Sequence, residues 1–132
     1  MKNILIVDDD ELVREIMLHD LQDNGYAVDQ AASVAAAVEK LETNAYDLVI
    51  TDIMMPEKTG ISLSEYIRKQ EVPTPVLVVS GCYTTGQSGD IFELAQYFAD
   101  GILSKPYDQD EFLKTVERLA TGISARRSME NL

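Results

Sequence analysis

Four separated stretches of the chain carry side chains suited to chemistry on a charged, oxygen-rich group: Asp8-Asp9-Asp10, Asp52, Ser80 and Lys105. Carboxylates crowded together repel one another, which raises their proton affinity unless a cation compensates. One lysine cannot neutralise the three carboxylates of Asp8, Asp9 and Asp52, whereas a hard divalent cation can. The set offers oxygen ligands and neither histidine nor cysteine, which points to Mg2+ or its relative Mn2+ rather than zinc. Taken singly, each residue also has a plain structural use. Asp8 and Asp9 can end a strand and cap a helix, and Asp52 can open a turn. Ser80 can be a strand-end hydroxyl and Lys105 a solvated lysine. Only a fold that delivers all of them to one edge raises them above those uses.

The elements that must do so are legible in the hydrophobic pattern. Ile4-Leu5-Ile6-Val7, Leu48-Val49-Ile50, Val76-Leu77-Val78-Val79 and Ile102-Leu103 read as strands covered on both faces. Ala27-Val28-Asp29-Gln30-Ala31 mixes in polar residues and suits an exposed edge strand. Helix patterns lie between. Leu12, Val13, Ile16, Met17 and Leu21 recur at three- and four-residue spacing, and Asn24-Gly25 supplies a left-handed stop. Ser33 caps a second helix carrying Val34, Val38 and Leu41, and Leu63 and Ile67 sit on a third that ends before Pro73. Ile91, Leu94, Ala95 and Phe98 mark a fourth. Asp108 and Glu111 form a capping-box pair opening a fifth, with Phe112, Leu113, Val116 and Leu119 inward and Gly122 ending it.

Five strands alternating with five helices predict an α/β fold with a parallel sheet. Right-handed crossovers favour the flavodoxin-like, doubly wound order 2-1-3-4-5. Such sheets bind ligands beyond the carboxyl ends of their strands, at the switch between strands one and three. Strand one ends in Asp8-Asp9, strand three in Thr51-Asp52 and strand four in Ser80-Gly81, while Lys105-Pro106 follows strand five. The predicted fold therefore gathers all the candidate residues at that edge.

Composition narrows the partners. The 132 residues hold 11 Lys+Arg against 23 Asp+Glu, a formal charge of −12, with ordinary globular proportions of 45% hydrophobic and 26% charged residues. That acidity argues against nucleic acid or an anionic membrane as direct ligand, since phosphate contacts need a basic surface. The single cysteine, Cys82, cannot form an internal disulfide, and no apolar run approaches the roughly 20 residues of a membrane span. A cytoplasmic protein is expected.

The candidate stretches also carry a family resemblance. Ile4-Leu-Ile-Val-Asp-Asp-Asp10, Asp52-Ile-Met-Met-Pro56 followed by Gly60, Val78-Val-Ser-Gly81 and Leu103-Ser-Lys-Pro106 together resemble the receiver domain of two-component response regulators. The likeness spans about residues 1–121, leaving 122–132 as a tail or the start of a linker. It implies a phosphorylation-activated signalling switch that catalyses its own phosphoryl transfer and autodephosphorylation rather than turning over a substrate. Asp52 would accept the phosphoryl group from a sensor histidine kinase or phosphotransfer protein, as a carboxylate can. Asp9 would bind Mg2+ directly and Asp8 through water, with the Met54 backbone carbonyl and Asp52 completing the metal set. Ser80 and Lys105 would each meet a phosphoryl oxygen. Pro56 and Gly60 would shape the loop after Asp52. The output partner would dock on the face of the fourth helix, fifth strand and fifth helix.

One position departs from the family. Ile102, three residues before Lys105, stands where the resemblance implies an aromatic side chain that turns inward on activation. The glycine-rich stretch Gly81–Gly89 is then expected to carry the signal. That departure keeps open a degenerate receiver that docks partners without phosphorylation. An aspartate-nucleophile phosphatase would attack through Asp8, but Leu12 occupies the place of its expected hydroxyl residue. A flavin module would need hydroxyl and glycine residues after strand one, where aspartates would repel its phosphate. His19 reads as a surface residue and Cys82 as a loop thiol.

Overall fold

The computed structural model describes residues 2–52, 60–71, 73–80, 99–105 and 107–130, with backbone alone at Gly60, Ile61, Ser80 and 122–130. Strands β1 (Asn3–Val7), β2 (Ala27–Ala31), β3 (Leu48–Thr51), β4 (Val76–Ser80) and β5 (Gly101–Ser104) form one parallel sheet in the order β2-β1-β3-β4-β5. The expected topology is the observed one. The half-polar segment takes an edge, and the solidly apolar β1, β3 and β4 take the centre. The described helices are α1 (Glu11–Gln22), α2 (Val34–Thr43), α3 (Gly60–Arg68) and α4 (Gln109–Glu130). The pattern at 91–98 lies outside the described residues, so α4 is the helix expected fifth.

Alternation along the strands sorts the core into two layers. Leu5, Val7, Val49, Val76 and Val78 face α2 and α3, against Val34, Ala37, Leu63 and Ile67. Ile4, Ile6, Leu48, Ile50, Leu77, Val79 and Leu103 face α1 and α4, against Met17, Leu21, Phe112, Val116 and Leu119. Each such buried aliphatic side chain contributes roughly 1.5–3 kcal/mol, so both faces hold the strand ends in fixed register. Gly101 admits α4 at close quarters: a Cβ there would stand 2.8 Å from Leu119 Cδ1.

The Ser33 and Asp108 signals act where expected: Ser33 Oγ accepts from Ala36, and Asp108 accepts from Glu111. The cap of α1 is Asp10 rather than Asp8 or Asp9, its carboxylate accepting the Leu12 and Val13 N–H groups. Gly25, at φ 89°, makes the left-handed turn after α1. Two expectations fail. Leu12 and Ile16 are 64% and 54% exposed. At about 100° per residue they fall well off the Val13-Met17-Leu21 line that meets the sheet. Gly122 does not end its helix, because α4 continues to Glu130. A helical glycine costs only about 1 kcal/mol, and the good helix formers Ala125, Arg126, Arg127 and Met129 follow it.

Candidate functional site

Register carries past the strand ends. Val7 pairs with Thr51, and the Asp52 N–H donates to the Val7 carbonyl at 3.2 Å. Asp8 and Asp52 therefore stand side by side where β1 and β3 stop. Alternation gives their direction. Asp8 continues the parity of Ile4 and Ile6, Asp52 that of Leu48 and Ile50, and Lys105 that of Leu103, all on the α1–α4 side. Lys105 must reach across β4, two strand spacings or about 9.5 Å. Its stem does so: Nζ lies 3.8 Å from Asp52 Oδ2. The two side chains are 31% and 17% exposed, so solvent weakens the attraction and the pair adds little stability. It does fix where positive charge sits.

The three consecutive aspartates divide their tasks. Asp8 is buried, 3% exposed, and its Oδ1 accepts the Asp10 N–H at 2.9 Å. Burial pushes its carboxyl above the ordinary carboxylate range, and the Asp10 amide pulls it back. Asp52 then raises it, Lys105 offsets part, and Asp9 raises it again. Asp9 is exposed, and its charge reaches Asp8. Asp10 is spent as the α1 cap. Thr51, itself buried, donates its hydroxyl to the Asp52 carbonyl at 2.9 Å.

Among the described residues, no group of three or more His, Cys, Asp or Glu side chains is gathered so that it could hold a metal ion by itself. Asp8, Asp9 and Asp52 instead make an acidic corner in which burial and mutual repulsion act on Asp8 against one lysine. Oxygen donors in that electrostatic state fit a hard divalent cation. Ser80 ends β4, its backbone paired with Ser104 of β5, and its side chain lies outside the described residues. So do Met54, Pro56, Pro106 and the 81–89 stretch with Cys82. His19 is exposed. Ile102 is half-buried against the α2–α3 layer.

Two participants escape the motif reading. Arg14 sends Nη1 to the Asp8 carbonyl oxygen at 2.6 Å and Nε to Gln30 Oε1 at 3.2 Å. Its signal is faint, the one Lys or Arg in α1, four residues after the Asp10 cap. Tyr107, two residues beyond Lys105, stacks on Phe112 with ring centroids 5.4 Å apart. Burial raises its phenol, with Asp20 and Asp8 adding to the effect. No helix among the described residues is long and apolar enough to cross a membrane.

Comparison with known proteins agrees with this geometry. The profile of the response regulator receiver domain matches residues 4–117. The chain is 32% identical over 122 residues to the transcriptional regulatory protein DltR of Streptococcus agalactiae, covering 92% of this chain and 53% of that protein. It thus spans about half the length of this curated relative. A Thermotoga maritima response regulator, TrrA, solved in complex with Mg2+-BeF, superposes with a TM-score of 0.76 at 32% identity, over 90% of this chain and 99% of that one. A CheY-like receiver domain from Methanospirillum hungatei gives a TM-score of 0.83 at 25% identity, over 96% and 98%.

Proposed function

Since the chain belongs to the response regulator receiver family, we propose that Asp52 is its phosphoacceptor, served by a sensor histidine kinase or a phosphotransfer protein. The observation that carries this reading is the 3.8 Å approach of Lys105 Nζ to Asp52 Oδ2 beside the buried carboxylate of Asp8. A carboxylate oxygen of Asp52 attacks the phosphorus of a phosphohistidine. The new P–O bond makes an acyl phosphate, and the broken P–N bond leaves its electron pair on the imidazole, which takes up a proton. Charge in transit spreads over the equatorial oxygens, so positioning and neutralisation do most of the work. Lys105 stays within reach of one oxygen, and Ser80 at the end of the intervening strand meets another through its hydroxyl.

Asp8, Asp9 and Asp52, with the Met54 carbonyl, would hold Mg2+ or Mn2+. The bound cation supplies neutralising charge to the phosphoryl oxygens. TrrA was solved with Mg2+-BeF, which supports the metal reading by similarity. The product is a switch that makes and loses its own acyl phosphate, in keeping with a cytoplasmic signalling protein. Readout passes through the face around β5 and α4. Ile102 already packs inward, so no aromatic rotation at that position is needed.

Incubation with acetyl phosphate and Mg2+ tests the reading. A phosphoryl adduct forms on the parent chain, is prevented by chelation and is absent from Asp52→Asn. An adduct of equal yield in Asp52→Asn refutes it.

A further inference from the structure

The Asp8–Asp9 peptide lies just beyond Val7–Ala31, the last pair of the β1–β2 ladder, with the Asp8 backbone turned toward β2. At Asp8 the N–H and one carboxylate oxygen are already held. Its N–H donates to the Ala31 carbonyl at 3.2 Å, and its Oδ1 accepts from Asp10 at 2.9 Å. The carbonyl oxygen is taken by Arg14, whose Nη1 donates at 2.6 Å. The backbone of Arg14 is fixed in turn, since its N–H donates to the Asp10 carbonyl at 3.1 Å. Its Nε donates to Gln30 on β2 at 3.2 Å, which anchors the guanidinium from the far side. A peptide unit is planar, so holding the Asp8 oxygen fixes the plane and with it the direction in which Asp9 leaves the backbone.

We propose that Arg14 is a positioning residue for the acidic corner: braced by Gln30, its guanidinium sets the Asp8–Asp9 peptide plane so that both carboxylates are presented to a divalent cation. The proposal rests on the receiver reading, because it concerns the same cation. Arg14 contacts the Asp8 carbonyl rather than any carboxylate of the corner, so it orients the donors without neutralising them. A two-nitrogen fork is required, one nitrogen for the Asp8 oxygen and another for Gln30. Lysine has a single nitrogen and a point charge, and reproduces only one of the two bonds.

Calorimetric titration of the 132-residue chain with MgCl2, alongside acetyl phosphate labelling, tests this. Outer partners that orient metal ligands commonly alter affinity by tenfold or more, so Arg14→Gln should bind Mg2+ about tenfold more weakly. Its labelling rate at saturating Mg2+ should stay within about twofold of the parent, a change in half-saturation rather than in maximal rate. Arg14→Lys should recover part of the affinity. In the metal-free chain, Arg14→Gln should also speed exchange of the Asp9 and Asp10 amide protons. A folded Arg14→Gln with parental Mg2+ affinity and parental amide exchange overturns the proposal. Should Arg14→Gln fail to fold, Gln30→Leu serves, with weaker Mg2+ binding expected and parental binding decisive against it. A parent chain that binds no Mg2+ defeats the receiver reading instead, and the amide exchange still judges the positioning role.

Discussion

At the amino end of the sheet, Asp47 accepts the Asn3 N–H at 2.8 Å and returns its own N–H to the Asn3 carbonyl at 2.7 Å. Asp100 repeats this clasp on Val76, at 2.8 Å in both directions. Each aspartate immediately precedes one strand and grips the first residue of its neighbour, Asp47 joining β3 to β1 and Asp100 joining β5 to β4. At the carboxyl end, Asp8 and Asp52 stand in the same register relation, yet their carboxylates point at one another's field and share one lysine. The same residue type thus closes the sheet at one end and leaves it electrostatically strained at the other. Carboxylates that satisfy backbone donors stabilise; carboxylates gathered without enough positive charge cost stability, and such a cost is commonly retained where a site needs it.

Substitutions can break this contrast. The largest effect is expected at Asp8. Asp8→Asn removes a buried charge and its repulsions, so the metal-free chain should gain on the order of 1 kcal/mol in urea denaturation. The same change should weaken Mg2+ binding by on the order of a hundredfold in calorimetry. Loss of stability in Asp8→Asn would show that its carboxylate is structural after all. Asp100→Ala should do the reverse, losing about 1–2 kcal/mol in the same denaturation while acetyl phosphate labelling remains at the parental rate.

A smaller effect is expected on the edge strand, where Tyr46 donates its hydroxyl to Asp29 Oδ2 at 2.6 Å. Tyr46→Phe should lose about 0.5–1 kcal/mol. Burial, then the Asp29 hydrogen bond and charge, raise the Tyr46 phenol well above its ordinary range. A phenol raised on folding favours the native state fully below its ordinary value of about pH 10. That advantage is lost as pH climbs toward the raised value. The stability gap between parent and Tyr46→Phe should therefore hold up to that pH and close above it, as followed by denaturation at a series of alkaline pH values.

Much of this was legible in the sequence because the sheet obeys simple periodicities. Four continuous apolar runs became strands, and the period of two that buries Ile4, Ile6, Leu48 and Ile50 also aims Asp8 and Asp52 to one side. What escaped depended on spatial neighbours. Leu12 and Ile16 fit a helical pattern, yet only one flank of α1 meets the sheet, which leaves them exposed. Gly122 looked like a stop, but one glycine cannot end a helix whose flanking residues favour it. Arg14 could not be assigned because its partners, the Asp8 carbonyl and Gln30, are brought to it by the β1–β2 pairing. The clasps of Asp47 and Asp100 were hidden for the same reason, since each joins residues 24 or more apart in the chain.

The most direct test is chemical mapping of the phosphoryl group. Reduction of the acetyl phosphate-treated, Mg2+-loaded chain with borohydride converts an acyl phosphate into the corresponding alcohol, which peptide sequencing by mass spectrometry then locates. The account predicts homoserine at position 52 and nowhere else. Homoserine at position 8 or 9 with an unmodified Asp52 would contradict it.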